Sequence, residues 1–203
     1  MRTKIKMCGL TRPEDIQAAN EIMPEYIGFV FAAKSSRYVS PETARGLKRL
    51  LSPEILAAGV FVREAPEVIA GLLNAGVIDM AQLHGGEPEE EIRRLRELTE
   101  KPVIKAFRIE SGRDIELAQA SSADYVLLDS GSGGTGTAFD WRLIQHVGRP
   151  YFLAGGLSPE NVSMAVELLH PYGVDVSSGI ETDGKKDKSK MAAFAAAVRK
   201  EEQ

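Results

Sequence analysis

An α/β barrel of eight parallel strands is the fold class this sequence predicts, and three observations carry it. Short β-branched or apolar runs recur at fairly even spacing, each followed by a longer helical pattern, which is the signal of βαβ units in a parallel sheet. Most of these runs are apolar throughout rather than alternating with polar residues, as strands buried on both faces should be. Eight such units in 203 residues match the lower size limit of a TIM (β/α)8 barrel, whose active site is built from the loops that follow the strands. The competing architecture is an open doubly wound sheet. It is disfavoured because no Gly-x-Gly-x-x-Gly turn follows the first run, where such a sheet would bind a dinucleotide.

In chain order the runs are Lys4–Met7, Tyr26–Phe31, Leu56–Val62, Ile78–Leu83, Val103–Phe107, Tyr125–Asp129, Tyr151–Ala154 and Val174–Ser177. The segments between them carry helix-start chemistry. Thr11-Arg12-Pro13-Glu14 fits a capping box, in which the threonine hydroxyl and the glutamate satisfy free N–H groups of the first turn. Ser40-Pro41-Glu42 and Ser158-Pro159-Glu160 each set a capping serine before a proline at the first helical position. Ser52-Pro53-Glu54 has the same letters but runs straight into a strand, so it is read as a turn. From Glu89 to Thr99, Ile92, Leu95 and Leu98 recur at every third position with Arg93, Arg94 and Arg96 outward, which is one face of an amphipathic helix. The charge run from Lys185 to Lys190 reads as a solvated entry to the last helix.

Composition narrows the function classes. With 43% hydrophobic and 27% charged residues, the chain can bury one sizeable core, and residues 1–203 read as a single barrel domain. Lys and Arg number 25 against 29 Asp and Glu, a net charge of −4 with no polybasic block, so no nucleic-acid partner is expected. No apolar stretch approaches the roughly 20 residues of a membrane span, and the amino terminus lacks a signal-like region, so no membrane partner is expected either. One cysteine cannot form an internal disulfide, and a reducing cytoplasm is the expected location. Assembly is left open as monomer or homodimer.

If the barrel closes, residues at the strand ends converge on one mouth: Cys8, Phe31 to Arg37, His84, Arg108, Asp129, Gly155-Gly156 and Ser177-Ser178-Gly179. Cys8 is either a nucleophile or base with a tunable thiol, or a small buried hydrophobe. Asp129 ends an apolar strand, where desolvation would suit a general acid; it could equally cap the Gly-Ser loop behind it. Gly155-Gly156 and Ser178-Gly179 follow the seventh and eighth strands, where barrels often hold a phosphate on backbone N–H groups. Arg37 has a planar fork suited to a substrate carboxylate, against the reading of a solvated arginine. The glycine-rich stretch 130–136 is a lid over the mouth or a surface loop. His84 is a substrate contact at the mouth or a satisfied histidine; with His146 and His170 it makes no metal-ligand spacing, and neither a metal nor another cofactor is expected.

Taken in order, several segments resemble the phosphoribosylanthranilate isomerase family of tryptophan biosynthesis. They are Lys6-Met7-Cys8-Gly9-Leu10-Thr11, Gly28-Phe29-Val30-Phe31 through Ser36-Arg37-Tyr38-Val39-Ser40, Gln82-Leu83-His84-Gly85, and Leu127-Leu128-Asp129. Ala154-Gly155-Gly156-Leu157 with Pro159-Glu160-Asn161-Val162, and Asp175 through Glu181, complete the set. Family enzymes commonly have isoleucine where this chain has Met7, a change that keeps an apolar residue beside the cysteine.

The resemblance implies an Amadori rearrangement of a small phosphorylated substrate on a small TIM barrel without cofactor. It also implies Cys8 as general base, Asp129 as general acid, Arg37 on the anthranilate carboxylate, and phosphate on the turns after strands seven and eight. The chemistry agrees with the residues: a base, an acid and a phosphate anchor suffice for ring opening and proton transfer. Two other readings are a related sugar-phosphate isomerisation and a non-catalytic phosphate-ligand barrel. Bifunctional relatives of the first kind use paired aspartates at strand ends one and five, where this chain has Cys8 and Lys105-Ala106-Phe107.

Overall fold

The computed structural model describes residues 2–129, 144 and 147–200; the expected lid at 130–136, and His146, lie outside the described residues. Eight strands form the barrel: Lys4–Cys8 (β1), Tyr26–Val30 (β2), Leu56–Phe61 (β3), Met80–Leu83 (β4), Val103–Arg108 (β5), Tyr125–Asp129 (β6), Tyr151–Ala154 (β7) and Gly173–Val176 (β8). They pair in parallel in chain order and the sheet closes β8 onto β1, with Lys6 in register with Asp175. The helices are Pro13–Ile22 (α1), Pro41–Lys48 (α2), Pro66–Asn74 (α3), Glu89–Leu98 (α4), Gly112–Ala120 (α5), Val162–Leu169 (α6) and Lys188–Lys200 (α7). Between β8 and α7 lie a 3-10 turn, Ser178–Ile180, and a short hairpin of Glu181–Thr182 (β9) with Lys185–Lys186 (β10).

The period-two alternation of each strand sorts its side chains into two cores. Ile5 and Met7 of β1 and Ile27 and Phe29 of β2 point outward into the layer beneath the helices. Tyr26, Ala58, Met80, Ile104, Leu127 and Phe152 fill the barrel interior. At the N-terminal ends of the strands the rings of Tyr125, Phe152 and Tyr172 pack with centroids 5.0–5.8 Å apart. Such offset and edge contacts add about 0.5–1.5 kcal/mol each beyond burial, and they plug that end of the barrel. The opposite end carries polar residues, Gln82, His84, Asp129 and Asp175, beside the apolar cluster of Cys8, Val30 and Val60.

Local sequence explains most boundaries; β1 and β5 run one residue further than expected, to Cys8 and Arg108, β2 and β3 stop one residue earlier, at Val30 and Phe61, and four other boundaries also differ. β4 begins at Met80 because the Asp79 carboxylate accepts from Ala57 N at 2.7 Å and pairs with Lys48. β8 lies one residue early, at Gly173–Val176. The cap of α1 is not Thr11: the Asp15 carboxylate reaches back to the N–H groups of Thr11 and Arg12 at 2.9 and 3.0 Å, so Asp15 replaces both the threonine hydroxyl and Glu14. Ser158-Pro159-Glu160 is a turn, and α6 begins only at Val162, because Asn161 Oδ1 accepts from Ser158 N at 2.8 Å and closes the turn first. Ser40 caps α2 as expected, accepting from Thr43 N at 3.2 Å, and α4 buries Ile92 and Leu95.

Candidate active site

The C-terminal strand ends enclose a cavity of about 380 Å³ in which Cys8, His84, Asp129, Gly155, Gly156 and Ser178 share the wall. Arg37 and Gly179 do not line it; Arg37 passes over Gly9 beside Cys8, its side chain 29% exposed. A larger cavity of about 760 Å³ opens beside it, running outward past Glu87 and Lys105 towards Leu117 and Ala120 of α5 and sharing His84 and Asp129. Arg108 lines this larger cavity and pairs with Glu110 in an exposed contact. Phe31 stacks on Phe61 with centroids 5.1 Å apart, forming part of the scaffold behind β2.

Cys8 is 8% exposed, and its sulfur rests against the bare backbone of Gly28, where a Cβ would come within 2.6 Å of it. Burial pushes the thiol above its ordinary value and the Asp175 carboxylate adds to that; Lys6 and Lys186 pull the other way without prevailing. Lys6 shares the inward face of β1 with Cys8, and its ammonium is fully buried. It donates to Asp175 Oδ1 at 2.9 Å. Burial alone would depress the Lys6 ammonium, but Asp175 and Cys8 outweigh it and hold it above the ordinary lysine value.

Across the mouth, Asp129 Oδ2 lies 3.5 Å from His84 Nε2. Its side chain is 28% exposed, so its surroundings are a polar partner and an open cavity rather than the apolar wall expected from its strand. Gln82 sits one inward position below His84, and its amide nitrogen lies 3.0 Å from His84 Nδ1. With that nitrogen donating, the ring proton stays on Nε2 and faces Asp129.

The turns after β7 and β8 interlock. Gly155 and Gly156 adopt φ of 93° and 65°, a left-handed pair that favours glycine. No hydrogen bond joins the Gly156 amide to another described residue. At Gly179 a Cβ would lie only 2.0 Å from the Leu157 carbonyl oxygen, so the two loops touch backbone to backbone.

Arg37 is not a solvated surface arginine. Its Nε and Nη2 donate to the two carboxylate oxygens of Glu181 at 2.7 Å each. Glu181 also accepts from Lys186 Nζ at 2.6 Å. Burial alone would raise the Glu181 carboxyl; Arg37 and Lys186 hold it below the ordinary glutamate value. Lys186 contradicts the expectation of a solvated charge run: its side chain is 1% exposed, because the β9–β10 hairpin turns it inward. Its neighbours Lys185, Lys188 and Lys190 do remain at the surface.

Sequence reasoning therefore missed Lys6, Gln82, Asp175, Glu181 and Lys186 as parts of the site. A signal existed for three of them. Lys6, Gln82 and Asp175 each lie two residues before Cys8, His84 and Ser177 and so face the same way along the strand. Among the described residues no group of three or more His, Cys, Asp or Glu could hold a metal ion, and no helix is long and apolar enough to cross a membrane.

A closed parallel barrel whose strand ends bring a thiol, a carboxylate and glycine-rich turns into one cavity defines a TIM-barrel enzyme. Residues 5–197 match the family model described as N-(5'-phosphoribosyl)anthranilate (PRA) isomerase, and the chain belongs to that family of isomerases. It is 45% identical over 192 residues to the N-(5'-phosphoribosyl)anthranilate isomerase of Endomicrobium trichonymphae, covering 93% of this chain and 94% of the relative. The crystal structure of phosphoribosyl anthranilate isomerase from Thermotoga maritima superposes with a TM-score of 0.88 at 39% identity, covering 98% of this chain and 99% of that one. A crystal structure of phosphoribosyl anthranilate isomerase in complex with reduced 1-(o-carboxyphenylamino)-1-deoxyribulose 5-phosphate matches at 0.86 and 38% identity, covering the same shares of the two chains.

Proposed function

We propose that residues 1–203 work as one barrel domain that converts N-(5-phosphoribosyl)anthranilate into 1-(2-carboxyphenylamino)-1-deoxyribulose 5-phosphate, in L-tryptophan biosynthesis in the cytoplasm. The observation that carries this reading is that Cys8, Asp129 and the turns at Gly155-Gly156 and Ser178 line one cavity. Family membership supports the reaction, and the shared cavity supports the assignment of the base, the acid and the phosphate turns.

In this reading the phosphate sits on the turns after β7 and β8. Asp129 gives a proton to the furanose ring oxygen. The C1′–O bond breaks, and the nitrogen lone pair forms an iminium. That iminium makes the C2′ hydrogen acidic, and Cys8 as thiolate takes it, leaving the electron pair in an enolamine. Protonation at C1′ and loss of the hydroxyl proton at C2′ then give the ketone. His84 orients Asp129 and contacts the substrate, and Arg37 pairs with the anthranilate carboxylate. Burial pushes the Cys8 thiol up, while Lys6 and Lys186 favour the thiolate that acts as the base.

Expression of the chain in a bacterial tryptophan auxotroph lacking only this isomerase step tests the reading. Growth without tryptophan is expected. No growth, with the folded protein present in the cells, would overturn it.

A further inference from the structure

A guanidinium group offers two edges that can each grip a carboxylate with two hydrogen bonds: the side edge of Nε and Nη2, and the end of Nη1 and Nη2. In Arg37 the side edge is taken by Glu181. No hydrogen bond joins Nη1 to another described residue. The side chain is thus held by one carboxylate while its second binding edge stays available.

The hold is rigid because each partner is itself fixed. The aliphatic stem of Arg37 crosses Gly9, where a Cβ would lie 2.4 Å from Arg37 Cδ; only glycine leaves room for that path. Glu181 is clamped by Lys186 Nζ at 2.6 Å, and the same ammonium donates to Ser177 O at 2.9 Å. Ser177 Oγ in turn donates to the Cys8 carbonyl at 3.1 Å. One continuous chain of hydrogen bonds therefore ties the arginine fork to the end of the strand that carries the thiol.

We infer that Glu181 is a positioning residue for carboxylate recognition: it fixes Arg37 by the side edge so that the end edge meets the aryl carboxylate of the substrate. Lys186 completes the device by gripping Glu181 Oε1 at 2.6 Å and tying it to Ser177 O, just past the end of β8. This inference rests on the role given to Arg37 above. It makes Glu181 act on binding and leaves the proton transfers alone.

The test compares kcat and KM on the natural substrate and on an analogue lacking the carboxylate, formed in situ from ribose 5-phosphate and aniline. Wild type, Glu181→Gln, Arg37→Ala and their double variant are measured together. Glu181→Gln is expected to raise KM for the natural substrate roughly tenfold, the scale of one well-placed charged hydrogen bond, with kcat within about twofold and little change on the analogue. The double variant should be no worse than Arg37→Ala alone, because the two residues act as a unit. Since Glu181→Gln leaves the Lys186 ammonium buried without a carboxylate, Glu181→Gln/Lys186→Met removes both charges and should show the same carboxylate-dependent rise in KM, while its kcat falls alike on both substrates because Lys186 favours the Cys8 thiolate. An equal rise in KM on both substrates for the Glu181 variants, or a KM rise that multiplies with that of Arg37→Ala, overturns the inference. If Arg37→Ala itself is penalised equally on both substrates, the assignment of Arg37 fails instead.

Discussion

Lys6 Nζ donates to Asp175 Oδ1 at 2.9 Å inside the barrel, one inward-facing position below Cys8. The pair is a buried salt bridge across the seam where β8 closes on β1, and it sets the field in which the thiol ionises. Lys6 favours the thiolate, Asp175 and burial oppose it, and the net direction is upward.

The pH profile follows from that direction. Below its pKa the thiolate fraction of Cys8 rises tenfold per pH unit, so kcat/KM is expected to climb from neutral pH through and beyond the ordinary thiol value of about 8.5. Lys6→Met removes the largest influence favouring the thiolate and should move the climb to still higher pH. It should also cost about 3–5 kcal/mol of stability by leaving Asp175 buried alone. A profile that levels off at or below about pH 7 in wild type, or stays put in Lys6→Met, would speak against Cys8 as the titrating base.

Asp129→Asn keeps the shape opposite His84 but cannot deliver the same proton. Ring opening is then expected to limit the rate, with kcat falling by roughly 10²- to 10⁴-fold. Substrate supplied already ring-opened should be turned over faster than the closed form by this variant; equal rates would require another acid.

The two glycine turns should separate experimentally. Gly156 has left-handed φ and open space where a Cβ would go, so Gly156→Ala is expected to fold with a loss of about 1 kcal/mol and to raise KM by crowding the phosphate. Gly179→Ala drives a Cβ into the Leu157 carbonyl and should disturb the fold as well. Unchanged affinity of Gly156→Ala for a phosphorylated analogue would mean that the β7 turn does not hold the phosphate.

Outside the mouth, Glu87 and Lys105 form a buried pair 2.6 Å apart. Burial alone would raise the Glu87 carboxyl; Lys105 and the N–H groups of Arg63 and Gly85 reverse that and hold it below the ordinary value. A depressed carboxyl contributes stability that is present above the unfolded-state value of about 4.3 and is lost as pH falls through the lower folded value. Glu87→Gln is expected to cost about 3 kcal/mol at neutral pH, a drop in Tm of roughly 6–12 °C. It should also flatten the acid limb of the stability curve, and thermal melts from pH 3 to 7 check both effects.

The barrel was legible because strands buried on both faces leave apolar runs that no surface constraint interrupts; Tyr125–Asp129 and Tyr151–Ala154 were read to the residue. Errors arose where a polar side chain does backbone work. Asp15 took the cap assigned to Thr11, and Asp79 ended the apolar run that began at Ile78. The site was legible as a set of strand-end residues, and Cys8, His84, Asp129 and the Gly155-Gly156 turn do share one cavity. Lys186 was not, because nothing in a lysine-rich run marks the one side chain that a two-residue hairpin folds inward. Lys6 could have been read from its period-two spacing to Cys8, but a lysine in a strand becomes a barrel-interior residue only once β8 supplies Asp175.

Whether Cys8 is the base is decided by kcat of Cys8→Ala beside its affinity for reduced 1-(o-carboxyphenylamino)-1-deoxyribulose 5-phosphate. A fall in kcat of roughly 10²-fold or more is expected, with the Kd of that analogue changed by less than about threefold, because the thiol acts on the proton at C2′ and does not hold the ligand. Near-normal kcat in Cys8→Ala would contradict it.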